Sequence, residues 1–213
     1  MSDTEKENLQ SEFWRGGFGN TYSDRNDSNV ERIISRTKLW AQVLKSTDGA
    51  PPRSILEVGA NIGNNLRALK NLTSAEFHAL EPNQNARETM VRDGVAPAAN
   101  VHDGLANLIP LPDDAVDLAF TSGVLIHIDP ENLLSSCQEI HRVARRYIVC
   151  IEYFSDKAES INYRGHENVL FKRDFGGFWL DNFSDLQVLD YGFAWKRMTG
   201  LDNLTWWVFE KQS

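Results

Sequence analysis

Ser54-Ile55-Leu56-Glu57-Val58-Gly59-Ala60-Asn61-Ile62-Gly63 leaves few architectures open to this chain of 213 residues. An apolar run of strand length stops in a carboxylate and a glycine, and a second glycine follows at Gly63. Glycine there lets the backbone turn sharply and approach a ligand where a side chain would clash. Ile62, Leu66 and Leu69 then repeat at helical spacing. Strand, tight turn and helix make the opening unit of a nucleotide-binding α/β fold. The helix start offers free N–H groups and a positive dipole end to a bound ligand.

The rest of the chain keeps the alternation. Phe77 to Glu81 reads as a second strand ended by Pro82, with a helix near Asn83 to Arg92. Asn100-Val101-His102 reads as a short third strand and Val116 to Thr121 as a fourth. Tyr147 to Tyr153 is apolar enough for a fifth, buried parallel strand. Asp129-Pro130 puts an N-cap before a first-turn proline and opens an amphipathic helix through Leu133, Cys137 and Ile140. Upstream, Ser28-Asn29-Val30-Glu31 reads as a capping box. Val30, Ile33, Ile34, Thr37, Trp40, Ala41 and Leu44 then share one helical face. Leu186 to Trp195 and Leu204 to Glu210 are two strands with no helix between them, which predicts an antiparallel hairpin.

The fold class predicted is α/β: a doubly wound, seven-stranded, mostly parallel sheet with a reversed C-terminal strand. Residues 1–27 form a tail and aromatic cap segment, and residues 28–213 the domain, with a lid or insert at about 154–183. In that insert Phe171, Phe175, Phe178 and Trp179 have helical spacing. Gly176-Gly177 would weaken a helix there by about 1 kcal/mol each.

Charge narrows the partners. Lys and Arg number 22 against 30 Asp and Glu, a formal net charge of −8. That balance lacks the diffuse attraction to a phosphate backbone that nucleic-acid binding uses, so no nucleic-acid partner is expected. Arg142, Arg145 and Arg146, the densest basic cluster, fall at a helix end and complement its dipole. Cys137 and Cys150 stand apart in apolar runs, as buried reduced thiols rather than zinc ligands, and no metal is expected. The polar first 12 residues have no apolar core of a signal, and no run approaches the ~18 apolar residues of a membrane span. These features predict a cytoplasmic protein without a membrane partner, acting as monomer or homodimer.

The loop itself discriminates between ligands. A dinucleotide enzyme wants G-x-G-x-x-G, whereas Gly59-Ala60-Asn61-Ile62-Gly63 lacks the middle glycine. Glu57 adds an acid at the strand end, which suits a cationic or hydroxyl-bearing ligand better than a diphosphate. Glu81 ends the second strand about 20 residues beyond the loop, where a carboxylate can accept both ribose hydroxyls. A nicotinamide-dependent sugar oxidoreductase or epimerase is the weaker alternative.

Together these motifs, over roughly residues 28–153, resemble the class I S-adenosylmethionine-dependent methyltransferases, whose fold is Rossmann-like. The resemblance implies S-adenosyl-L-methionine as cofactor. It places the methionine part on Glu57, Gly59, Ala60, Asn61 and Gly63, the ribose on Glu81 beside Pro82, and the adenine amino group on Asp103 beside Gly104. Thr121 to Ile128, with Ser122 and Gly123, is similar to the segment that lies beside methionine and substrate. Outside the core, Glu12 to Tyr22 through Asn26, Tyr163 to Glu167 and Leu170 to Gly176 resemble the methyltransferases associated with pseudaminic acid biosynthesis. That likeness implies a small-molecule acceptor, a sugar or sugar-derived metabolite, methylated on O or N. A cofactor-binding protein without catalysis and a macromolecular acceptor such as a protein terminus remain as alternatives.

Other residues are candidates for the acceptor side. His127 is either a general base or a hydrogen-bonded structural histidine before the Asp129-Pro130 cap. His166 either deprotonates a substrate or lines a surface loop. Glu152 and Tyr153 end the fifth strand at the ligand-binding edge. Tyr163 and Arg164 lie in a stretch too polar for core. Trp14 and Tyr22 can exclude water and stack on a cofactor or sugar face, and Arg25 offers a forked donor.

Overall fold

The computed structural model describes residues 14–16, 28–163 and 166–212. Helix α1 (Val30–Lys45) opens on Asn29, whose side-chain oxygen accepts from the Arg32 amide at 2.9 Å. The cap thus lies one residue past Ser28, because it is the Asn29 side chain that meets the first free amides. The buried face differs as well. Leu39, Trp40 and Val43 are buried, whereas Val30 and Ile34 are exposed, so the deepest packing is in the second half of the helix.

Strands and helices then alternate as β1 (Ser54–Val58), α2 (Asn64–Leu69), β2 (Glu76–Leu80), α3 (Gln84–Arg92), β3 (Val101–His102), β4 (Val116–Ser122), α4 (Pro130–Val143) and β5 (Ala144–Glu152). A hairpin of β6 (Glu159–Tyr163) and β7 (His166–Lys172) leads through α5 (Phe175–Asn182) to β8 (Leu186–Ala194), α6 (Lys196–Thr199) and β9 (Leu204–Lys211). The main sheet has seven strands in the order β3-β2-β1-β4-β5-β9-β8. β1 to β5 run parallel, and β9 runs antiparallel to both β5 and β8. The predicted doubly wound sheet with a reversed last strand is the sheet observed. α6 stands where no helix was expected, but its four residues make one turn and the β8–β9 hairpin forms regardless.

Side-chain alternation along the strands feeds two cores. Ile55, Leu118, Phe120, Val149 and Ile151 pack with Trp40 of α1, Leu66 and Leu69 of α2 and Met90 of α3. Leu56, Ala119, Ile148 and Cys150 point the other way, onto Leu133, Cys137 and Ile140 of α4 and Phe175 and Trp179 of α5. Trp40 is fully buried edge-on to Phe120, 4.5 Å between centroids. Both cysteines are buried free thiols.

The insert is not one helical stripe. Phe171 belongs to a strand, because Ile161 and Leu170 face each other across β6 and β7 and pack on the second core. Gly176 and Gly177 do sit in a helix, and the reason is space: a Cβ on Gly176 would run into the Trp207 indole. Close approach to β9 is gained at the expense of helix propensity. The arginines differ too. Arg145 and Arg146 lie on β5 and pair with Asp117 and Glu210, each at 2.7 Å, while Arg142 is held by Glu139 and Asp113. Carboxylates, more than a helix end, answer their charge. No helix among the described residues is long and apolar enough to cross a membrane.

Candidate active site

β1 has β2 on one side and β4 on the other, so the chain leaves it toward opposite halves of the sheet. Such a switch point opens a crevice beyond the carboxyl ends of the strands. The main cleft lies there, with about 1220 Å³ of atom-free space counted to its open mouth. Gly59, Ala60 and Asn61 line it after β1, Glu81 and Pro82 after β2, Gly104 after β3, and Ser122 and Gly123 at the end of β4.

The β1 loop is built by backbone bonds. The amides of Gly59 and Ala60 both donate to the Leu80 carbonyl, at 2.8 and 3.1 Å. Gly59 is left-handed, with φ of 73°, and an added Cβ would stand 2.6 Å from Val124 Cγ2. Asn61 is left-handed as well, and its amide donates to Glu81 Oε2 at 2.7 Å. Glu81 Oε1 accepts from the Asn83 amide at 2.9 Å, so one carboxylate ties the first loop to the second. Burial raises the pKa of Glu81. Gly63 is not on the wall. It caps α2 in a left-handed conformation, and a side chain there would strike Val95.

Glu57, at the cleft floor, is 2 % exposed. Its Oε1 accepts from Asn65 Nδ2 at 2.7 Å, and its Oε2 is buried without a partner. Burial pushes its pKa up to about 8, against the Asn65 hydrogen bond and the charge of Arg36. The group is therefore mostly neutral at pH 7.

Several candidates stand elsewhere than the sequence suggests. Asp103 is outside the wall, because Arg15 at 2.7 Å and Arg87 at 3.3 Å hold its oxygens, and its neighbour Gly104 faces the cleft instead. Glu152 was expected at the acceptor, yet it is fully buried. Its Oε1 accepts from the amides of Val124 and Leu125 at 3.0 and 3.1 Å, behind the wall rather than on it. Burial pushes its pKa up to about 7, against the pull of those amides. Tyr153, just past β5, is also off the wall, with Lys172 over its ring at 5.2 Å.

His127 and Trp14 do line the cleft. His127 ends a single 3-10 turn, Leu125–His127, and its ring lies 5.0 Å from that of Trp14. Tyr22, Arg25 and Arg164 lie outside the described residues. Tyr163 and His166 pair across the β6–β7 hairpin, but their side chains lie outside the described part. Sequence reasoning missed Arg36, Asn64, Asn65, Asn107, Asn132 and Ser136 on the wall. Asn64-Asn65 carried a readable signal, two amides where α2 meets the loop; the others sit on faces that only the fold defines. Among the described residues no group of three or more His, Cys, Asp or Glu is placed to hold a metal ion.

Residues 56–150 match the family model described as a methyltransferase domain. Among solved structures, a SAM-dependent methyltransferase from Leishmania major is 18 % identical, with a TM-score of 0.70, over 95 % of this chain and 82 % of that one. A 1,6-didemethyltoxoflavin-N1-methyltransferase from Burkholderia thailandensis, with 1,6-didemethyltoxoflavin and S-adenosylhomocysteine bound, is 14 % identical. Its TM-score is 0.73, over 100 % of this chain and 92 % of that one. A SAM-dependent methyltransferase from Aquifex aeolicus is 18 % identical, with a TM-score of 0.58 over 80 % and 88 %. At such identities the likeness shows the fold. No curated protein matches the chain. The matched segment spans the parallel strands and their loops around the cleft, and the chain is an enzyme of the methyltransferase type.

Proposed function

We propose that this methyltransferase acts on a small molecule, a sugar or sugar-derived metabolite first among them, and methylates it on oxygen or nitrogen. The observation that carries the reading is Trp14 standing beside His127 on the cleft wall, an aromatic pair on which the flat or apolar face of a small acceptor can stack. The Burkholderia neighbour, named for a small-molecule acceptor, supports the size class. The sequence likeness to pseudaminic acid-associated enzymes supports the sugar.

The residues present fit the cofactor. Glu57 Oε2 and Asn61 Oδ1 are buried without partners, and Glu57 and Glu81 put two carboxyl groups at adjacent strand ends on the wall. We assign the methionine end to Glu57, Gly59, Ala60 and Asn61, the ribose to Glu81 beside Pro82, and the adenine side to Gly104, with Asp103 orienting that loop through Arg15 and Arg87. S-adenosylmethionine supplies a methyl carbon already activated by positive sulfur. The chain's own work is orientation and exclusion of water. His127 takes the proton of an acceptor hydroxyl, and His166 is the second candidate base; an amine acceptor needs neither. Tyr163 and Arg164, with residues 1–27 and about 154–183 as cap and lid, complete the acceptor side, and Tyr22, Arg25 and Tyr153 belong to the same proposal. The enzyme works as a monomer or homodimer in the cytoplasm, without nucleic acid or membrane.

The test is turnover with S-adenosylmethionine against a panel of free and nucleotide-activated sugars and small amines, read by S-adenosylhomocysteine release and product mass. A methylated small molecule is the expected result. Turnover with a protein or peptide acceptor alone would overturn it.

A further inference from the structure

We propose that Glu152 is a positioning residue: its carboxylate fixes, from behind, the turn whose front forms the acceptor wall of the cleft. This rests on the methyltransferase reading above. The amides of Val124 and Leu125 both donate to Glu152 Oε1, at 3.0 and 3.1 Å. Those amides enter the single 3-10 turn that ends in His127, and Ser122, Gly123, Val124 and His127 all face the cleft.

Apolar packing anchors the far side of this stretch, where Leu125 and Ile126 are buried in the second core, but it does not set the backbone at its entry. Gly123 is left-handed, with φ of 68°, and a Cβ built there would meet nothing within 4 Å. The glycine permits the bend but does not fix it. Around the turn, the Gly123 amide donates to Ile151 O at 2.9 Å and the His127 amide to Val124 O at 2.9 Å, so the first bond anchors only the entry and the second lies within the turn. Val124 in turn fills the space over Gly59, where an added Cβ would come within 2.6 Å of it. The turn therefore packs directly on the β1 loop, so its position bears on both walls of the cleft.

Packing does not explain the residue. Glu152 is fully buried on the side of Cys137 and Cys150, and its Oε2 has no partner. A buried carboxylate costs stability that an apolar side chain of similar volume would not. What the carboxylate supplies is one acceptor that serves both amides.

Three variants test this, read by S-adenosylhomocysteine calorimetry and by hydrogen exchange. Glu152→Gln keeps the acceptor and should bind within about threefold of the parent, with the turn still protected. Glu152→Leu removes the acceptor. It should weaken binding at least tenfold and speed exchange at residues 122–128 at least tenfold, with 116–121 of β4 unchanged. Glu152→Asp keeps the charge but is one methylene short of both amides; it should behave as the leucine variant does, which keeps the test open if that variant fails to fold. Parental binding and exchange in the aspartate variant would overturn the proposal, as would loosening spread equally over β4 in either variant. If the parent itself binds no S-adenosylhomocysteine, the functional reading fails instead.

Discussion

Replacing Glu57 with glutamine should flatten the fall of folding stability with pH. In the native chain burial pushes this carboxyl from an ordinary 4.5 up to about 8. Between those values the unfolded chain has released a proton that the native chain still holds, so stability declines as pH rises, by about 1.4 kcal/mol per pH unit. The contribution is complete below pH 4.5 and gone above about pH 8, a span of about 5 kcal/mol. At 2 % exposure the group is little screened by solvent. Glu152, pushed up to about 7, and Glu81, also raised, add slopes of the same sign. Both remain in the variant, so the difference between the two proteins isolates Glu57. Loss or gain of the Asn65 hydrogen bond would offset the variant by an amount independent of pH. Urea unfolding followed by tryptophan fluorescence at about pH 5.5 and pH 7.5 should show the variant gaining about 3 kcal/mol on the parent across that interval. Parallel stability curves would refute the argument, for they would mean that Glu57 is ionised in the native chain.

The same carboxyl couples to the cofactor. S-adenosylmethionine is cationic, so its binding should ionise Glu57 and release about one proton near pH 7, with affinity rising up to about pH 8. Calorimetry in two buffers of different ionisation heat measures that release, and no proton exchange would count against it. His127→Asn should lower turnover of a hydroxyl acceptor by about 10²–10⁴ if the ring is the base, while S-adenosylhomocysteine binding stays unchanged. Full turnover would leave orientation alone to carry the reaction. Gly176→Val should destabilise the fold by about 1–3 kcal/mol through its collision with the Trp207 indole, seen as a lower melting temperature.

The parts legible in the sequence were those fixed by local chemistry. Asp129-Pro130 caps a helix whatever surrounds it, and the Asp129 carboxylate does accept from the Glu131 amide at 2.9 Å. The glycine at 59 marks a turn because no other residue takes its φ of 73° under Val124. Glu152 was misplaced because strand ends look alike in sequence: both faces of β5 are apolar, and only the fold puts a turn behind one of them. The β6–β7 hairpin was hidden by aromatic residues whose spacing straddles a strand and a helix, with Phe171 in one and Phe175 in the other. Asn132 and Ser136 reach the cleft one turn apart on α4, polar positions beside the apolar face that the sequence marks, and only the fold turns them toward the cleft.

The cover over the cleft is held on different terms from its floor. Glu57 and Glu81 are locked among buried groups, while Arg15 and Asp103 meet with side chains 41 % and 47 % exposed. A pair so open to water contributes about 0–1 kcal/mol and weakens as salt rises. Among the described residues, neither Trp14 nor Arg15 belongs to a strand pairing or to a core cluster. The Arg15–Asp103 contact should thus loosen as ionic strength rises, while the sheet and the melting temperature that reports on it do not follow.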